Sequence, residues 1–442
     1  MSLPEGWAEA TLGDVSDFIM GQAPPGTACN AEGRGTPFVK AGEFGQDRPI
    51  IREWTTKPLK LAEKNDVLIC VVGATAGKLN LGADCAIGRS VAAIRPTEAT
   101  TADFIYPRLR SEVARLRSGS TGTAQGVISK DMLSEVTFDL PPLAEQRRIV
   151  DRLDALTARL TRSRAELDRV PVLAERLRSS VLSRAFSGEL TADWRAANGL
   201  NDADWPVHSL GEIAEVQGGI QVGKKRPADA VLLDTPYLRV ANVQRGWLKL
   251  EEIKTLGVTE HERSRLLLRD GDILMNEGGD RDKLGRGWVW HEEVPDCIHQ
   301  NHVFRIRLTD DAFPPEFISH YANEFGQQYF IDQGTQTTNL ASISKRRVMA
   351  LPVPVPPTDE AVEVLRLVDA AFARADRLEA EAAKARALLD RMEAAILARA
   401  FRGELVPQDP ADEPAHILLD RIRAERAAAP KPKRGRRKKE VA

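Results

Sequence analysis

The sequence predicts an α+β fold. Two strand-rich globular modules are each followed by one long helix, and the two helices pair as an antiparallel coiled coil with pseudo-twofold symmetry. Three observations carry that prediction. Residues 141–190 recur at 356–405 with 19 identities and no gap. Apolar residues run at heptad spacing through both copies. The segments ahead of the two copies also share one order of short landmarks, with unrelated residues between them.

Both copies open on a proline pair, Pro141-Pro142 and Pro356-Pro357, and close on Arg-Ala-Phe and then Gly-Glu-Leu. Proline blocks helix upstream of itself and is tolerated in a first turn, while glycine suits the left-handed residue that ends a helix. In the second copy Val364, Val368, Ala371, Ala375, Leu378, Ala382, Ala385, Leu389, Met392 and Ile396 alternate spacings of four and three. That is a coiled-coil seam, expected to be buried. In the first copy Ile149, Leu153, Leu156, Leu160, Ser163, Leu167 and Val170 keep the spacing until Pro171 interrupts it, which predicts a kink or stutter. One seam is mostly Leu and the other mostly Ala, so pairing them sets large side chains against small ones. A monomer with an internal coiled coil follows. About 40 helical residues span roughly 60 Å.

The chain divides by this reading into a first module (1–140), a first helix (141–195), a second module (196–355), a second helix (356–406) and a tail (407–442). The modules share Trp7 with Trp205, Leu12-Gly13 with Leu210-Gly211, and Pro37-Phe38-Val39-Lys40 with Pro236-Tyr237-Leu238-Arg239. They also share Asp66-Val67-Leu68 with Asp272-Ile273-Leu274, and Ile128-Ser129-Lys130 with Ile343-Ser344-Lys345. Short apolar runs such as Asp66 to Val72, between Gly-rich turn signals, read as strands. Like scaffolds with unlike loops suit a bipartite target whose halves differ, because binding residues sit on loops that a scaffold positions. In the tail His416 to Arg426 predicts a short amphipathic helix, and Lys431 to Lys439 carries seven basic residues in nine.

With 42% hydrophobic and 29% charged residues and a net charge of −2, the composition is that of an ordinary soluble protein. No apolar run approaches a membrane span, and the N-terminus lacks the pattern of a signal peptide. Cys29, Cys70, Cys85 and Cys297 form no CxxC pair, which suits a reducing cytoplasm and argues against zinc.

Asp139 to Val150 (DLPPLAEQRRIV), Arg184 to Thr191 (RAFSGELT) and Arg399 to Leu405 (RAFRGEL) resemble the specificity subunit of Type I restriction–modification systems. Leu3 to Val15 and Asn301 to Arg307 (NHVFRIR) are similar to that family's target-recognition domains. The second copy departs from the pattern at Pro357 to Ala361, which lacks the Glu-Gln of the first. The resemblance implies that each domain reads one half of an interrupted, asymmetric double-stranded DNA site. It implies that the helix pair sets the unread gap and docks two modification subunits. Those partners bind S-adenosylmethionine and methylate adenine at N6, and restriction subunits add ATP- and Mg-dependent motor activity. The specificity subunit itself has no catalytic residue, metal or cofactor.

The residues agree with the absence of chemistry. The four Pro-Pro pairs lie in APPG, LPPL, FPPE and VPPT, none of which is the (D/N)PP(Y/F) of an amino-methyltransferase. Gly218 to Lys225 imitates a phosphate loop, but Lys225 stands where Ser or Thr would bind magnesium. His291-Glu292 has no second His four residues on, and the histidines lack metal-ligand spacing.

Donor-rich residues in or beside Gly-rich stretches are the candidates for DNA binding. In the first module they are Gln22, Lys78, Asn80, Arg89, Ser120, Thr121, Gln125 and Lys130. In the second they are Gln221, Lys224, Lys225, Arg226, Asn276, Arg281, Lys283, Arg286, Asn301, Gln336, Thr337, Thr338, Asn339 and Lys345. Arg and Lys pair with guanine and Asn and Gln with adenine in the major groove, while other contacts only grip phosphates. Glu145, Gln146, Arg147, Gly188, Glu189, Leu190, Gly403, Glu404 and Leu405, on outward faces and helix ends, are the candidates for partner docking. The competing reading is a coiled-coil scaffold with two peptide- or glycan-binding domains, which needs no such donor sets.

Overall fold

A computed structural model describes residues 3–118, 126–200, 205–279, 283–333, 335–336 and 341–428. The longer helices are α1 (Ala102–Ser118), α2 (Leu143–Leu167), α3 (Val170–Phe186), α4 (Pro315–Glu324), α5 (Thr358–Ala400) and α6 (Ala415–Ala428). The chain falls into two compact units, Met1–Leu167 with Lys384–Ala442, and Asp168–Ala383.

In the first unit, β1 (Ser16–Met20), β2 (Val67–Cys70), β3 (Leu79–Leu81) and β4 (Val91–Pro96) form an antiparallel sheet in the order β1-β4-β2-β3. Every residue of β2 is buried, because side chains alternate between two covered faces. Val67 and Ile69 meet Phe104, Ile105 and Leu109 of α1 and Ile149 and Leu153 of α2. Leu68 and Cys70 meet Val39, Phe44 and Ile87 in a second layer, where Phe38-Val39 pairs in parallel with Ala86-Ile87. A short ladder joins Ala8–Thr11 to Thr137–Leu140, just ahead of Pro141. Leu419 and Ile422 of α6 are buried in the same core.

In the second unit, β5 (Ala214–Gly218), β6 (Ile273–Asn276), β7 (Gly287–Val289) and β8 (Val303–Leu308) repeat that plan in the order β5-β8-β6-β7. Tyr237-Leu238 pairs in parallel with Ile298-His299, and Val207–Ser209 ladders with Pro352–Pro354. Ile273 and Met275 face Phe317 and Ile318 of α4 and Val364 of α5. The shared aspartates have one job in each unit. Buried Asp66 holds Arg95 through two hydrogen bonds of 2.9 Å, and buried Asp272 holds Arg307 at 2.7 and 2.6 Å. Such forks are charge-assisted at both oxygens.

Helix is broken at Asp168 and Arg169, and Pro171 lies in the first turn of α3, the position a proline tolerates. The second copy runs unbroken through 43 residues. Within the first unit Arg164 bonds both Asp390 and Glu393 at 2.7 Å. Within the second unit Arg178 bonds both Asp376 and Glu379 at 2.5 Å. The seam is not buried throughout. Val364, Val368 and Ala375 are, but Leu378 and Met392 remain 46% and 45% exposed.

Candidate nucleic-acid interface

One end of each sheet is built alike. In the first unit the chain leaves the parallel strand Cys85–Ile87 and makes a tight turn, with Val91 N bonded to Gly88 O at 2.9 Å. Arg89 and Ser90 are its central residues. Gly88 N bonds Val39 O at 2.9 Å and Gln22 N bonds Ile87 O at 3.0 Å, so the turn lies against the end of β1. In the second unit Val303 N bonds Gln300 O at 2.9 Å, with Asn301 and His302 central. Gln300 N bonds Leu238 O at 2.9 Å and Ile220 N bonds His299 O at 2.8 Å. The approach is close enough to require glycine in both, because a Cβ on Gly21 would lie 2.2 Å from Gly88 O and one on Gly219 2.1 Å from His299 O.

The same end gathers further candidates. Ile128 N bonds Val71 O at 2.9 Å, which brings exposed Lys130 near the end of β2. Ile343 N bonds Glu277 O at 2.8 Å, which does the same for Lys345 beside β6. Gln22, Lys78 and Arg89 are exposed in the first unit. Lys78 is also tethered, its Nζ donating to Phe44 O at 2.7 Å. In the second unit Gln221, Lys224 and Lys225 are exposed, while Lys283, Arg286 and Asn301 are half-buried. Gln336 lies in a short strand, Thr335–Gln336. Ser120, Thr121, Gln125, Arg281, Thr337, Thr338 and Asn339 lie outside the described residues.

Several expectations need correction. Asn80 is fully buried, accepting from Gly45 N at 3.1 Å and donating to Leu79 O at 2.8 Å, so it ties a loop to β3 and faces no ligand. Asn276 is fully buried too, its Nδ2 donating to Val243 O at 2.9 Å. Arg226 is committed to Glu262 at 2.7 Å, with little of its side chain exposed. A Gly-flanked polar residue is as good a loop anchor as a base reader, and spacing does not separate the two.

Glu145 and Gln146 are likewise not outward-facing. Glu145 is buried and accepts from Trp7 Nε1 at 3.0 Å, and Gln146 donates to Ala99 O at 2.8 Å and Pro141 O at 3.0 Å. Arg147 is exposed. Gly188 and Gly403 both take φ of +73° and cap their helices. Leu190 and Leu405 pack on the cores of their own units, which leaves Glu189 and Glu404 as the exposed residues of the two Gly-Glu-Leu triplets. Burial of these residues comes from a tertiary contact that a helical wheel does not contain.

His302 and Glu277 were not singled out by the sequence, yet they stand at the turn, with His302 Nδ1 2.9 Å from Glu277 Oε2. His299 is different in kind. Burial pushes its imidazole down to about 4, and its Nδ1 bonds Val303 O at 2.7 Å. It is a neutral core residue at neutral pH. Burial pushes the thiols of Cys70, Cys85 and Cys297 up to about 11, 12 and 12, which keeps them protonated. Among the described residues no group of three or more His, Cys, Asp or Glu is placed to hold a metal ion. No described helix is long and apolar enough to cross a membrane.

One scaffold is thus repeated with different residues at one turn. Residues 4–169 match the family model described as Type I restriction modification DNA specificity domain. The chain is 27% identical to the Type I restriction enzyme EcoKI specificity subunit of Escherichia coli (strain K12), over 99% of both chains. It is 26% identical to the StySPI specificity subunit of Salmonella potsdam, again over 99% of both. Its fold is that of the HsdS subunit from Thermoanaerobacter tengcongensis, with a TM-score of 0.60 and 18% identity over 91% of this chain and 98% of that one. It is also that of a chain from a solved type I R-M system, with a TM-score of 0.70 and 20% identity over 91% and 100%. Residues 4–169 are thus similar to a Type I restriction modification DNA specificity domain, and over nearly its whole length the chain is similar to specificity subunits of Type I restriction enzymes.

Proposed function

We propose that this chain reads a bipartite, asymmetric DNA site, one half per strand-rich domain, and docks modification and restriction subunits. The observation that supports this best is the shared turn. Two domains hold one backbone in one hydrogen-bond pattern, yet one offers Arg89-Ser90 and the other Asn301-His302. Different donors on a common frame are what two dissimilar half-sites call for.

The paired acidic partners of Arg164 and of Arg178 support antiparallel pairing of the helices as a spacer. Rising residue numbers in the first helix meet falling ones in the second: 164 with 390 and 393, and 178 with 376 and 379. On this reading the helix pair sets the unread gap, and its pseudo-twofold symmetry gives two modification subunits equivalent seats. S-adenosylmethionine, and the ATP and magnesium of the motor, belong to the partners.

Single-molecule methylome sequencing of cells that express the chain with its neighbouring modification subunit tests the proposal. Methyl-adenine at one interrupted asymmetric motif, lost on deletion of this chain, is the expected result. A stable complex with an intact methyltransferase and no methylation would favour a scaffold instead.

A further inference from the structure

The polar groups at the turn of the second domain are not independent of one another. Glu277 follows β6, and its backbone N–H bonds His302 O at 2.9 Å, which brings the end of β6 and the turn side by side. A carboxylate only accepts, so in the neutral imidazole of His302 the proton lies on Nδ1, 2.9 Å from Glu277 Oε2. That leaves Nε2 as an acceptor, and Asn301 Nδ2 lies 3.4 Å from it. The result is a three-residue relay, from Asn301 to His302 to Glu277. Its backbone is pinned as well, with Asn301 N bonded to Ile220 O at 2.9 Å.

The relay sets which way the amide faces. One of the two Asn301 N–H groups is spent on His302, leaving the other N–H and Oδ1. These are the one donor and one acceptor that the N7 and N6 amino group of adenine match in the major groove. An amide free to flip would present its oxygen and nitrogen in either order and would read poorly. His302 is 56% exposed and Glu277 28% exposed at the side chain, so the relay sits at the surface, where DNA can reach it. At the equivalent turn of the first domain stands exposed Arg89, whose fork matches guanine.

Resting on the reading of the chain as a DNA-recognition subunit, the geometry points to Asn301 as an adenine-reading side chain of the second domain, with His302 and Glu277 as its positioning residues. The assembled methyltransferase complex, challenged with duplexes randomised at one base pair of the second half-site at a time, tests this. Asn301→Ala should lower discrimination at a single A·T pair by roughly ten- to a hundred-fold, the worth of one bidentate contact, and leave the first half-site unchanged. His302→Ala should keep the same preferred base with a smaller margin, and His302→Gln, whose amide oxygen accepts from Asn301, should restore it. An unchanged preference in Asn301→Ala would overturn the assignment. So would uniform weakening across all sequences in a complex that assembles and melts as the parent does, since that marks a phosphate contact. A wild-type complex with no bipartite motif would instead sink the recognition reading itself, which keeps the two failures apart.

Discussion

Glu360 Oε1 lies 2.6 Å from Arg195 Nη1, and both side chains are buried. The same carboxylate accepts from Thr191 Oγ1 at 2.8 Å and, through Oε2, from Trp205 Nε1 at 3.1 Å. The second long helix is thereby locked at its start to the segment after the first closing block and to the opening of the second domain. Glu360→Ala strands a buried guanidinium, and breaking such a pair costs about 3–5 kcal/mol. Glu360→Gln keeps an acceptor and costs less. Denaturant unfolding of the two variants should rank them in that order, and equal stabilities would contradict the network.

The repeat partner, Glu145, has Trp7 but, among the described residues, no buried Arg bonded to it. Burial raises its carboxyl above the usual 4.5, against the lowering effect of the Trp7 hydrogen bond. The folded chain therefore holds this proton to a higher pH than the unfolded chain does. Glu145 costs stability at neutral pH, and that cost is relieved as pH falls through the raised folded value toward 4.5. Glu145→Gln removes the titration, so its stability relative to the parent should be most favourable at pH 7 and decline toward pH 5. Thermal melts at the two values measure it, and a pH-independent difference would refute the assignment.

Asn80 and Arg89 separate architecture from recognition. Asn80→Ala leaves the half-buried Gly45 N–H without its acceptor, at a cost of about 1 kcal/mol, and should leave the methylated motif alone. Arg89→Ala should barely change the melting temperature and should alter the motif in the half-site read by the first domain. The opposite pattern would mean the turn is structural.

Adding one heptad to both long helices lengthens them by about 10 Å. That corresponds to roughly three base pairs at 3.4 Å each. The unread gap in the methylated motif should grow by that amount with both half-sites intact. An unchanged gap would remove the helices' role as a spacer.

Much of the architecture was legible because it rests on local signals. The break before Pro171, the glycine caps at Gly188 and Gly403, and the helix Ala415–Ala428 over the predicted His416 to Arg426 all follow from residues that act on their own backbone. Two of the shared landmarks, Pro37 to Lys40 with Pro236 to Arg239 and Asp66 to Leu68 with Asp272 to Leu274, run into equivalent strands, since an apolar run between turn signals has few other uses. The candidate site was legible only as a set. Arg89 and Asn301 were in it, but so were Asn80 and Asn276, which have the same composition around them and the opposite environment.

The sequence by itself determined the duplicated plan, the long helices and the places where they stop, because periodicity, proline and glycine work within a few residues. Only the tertiary structure decided which polar groups are ties and which are exposed. Glu145 is held by Trp7 across 138 positions and Asn301 reaches Glu277 only through His302. Burial and hydrogen-bond partners of that kind depend on distant segments meeting, and no spacing along the chain encodes the meeting.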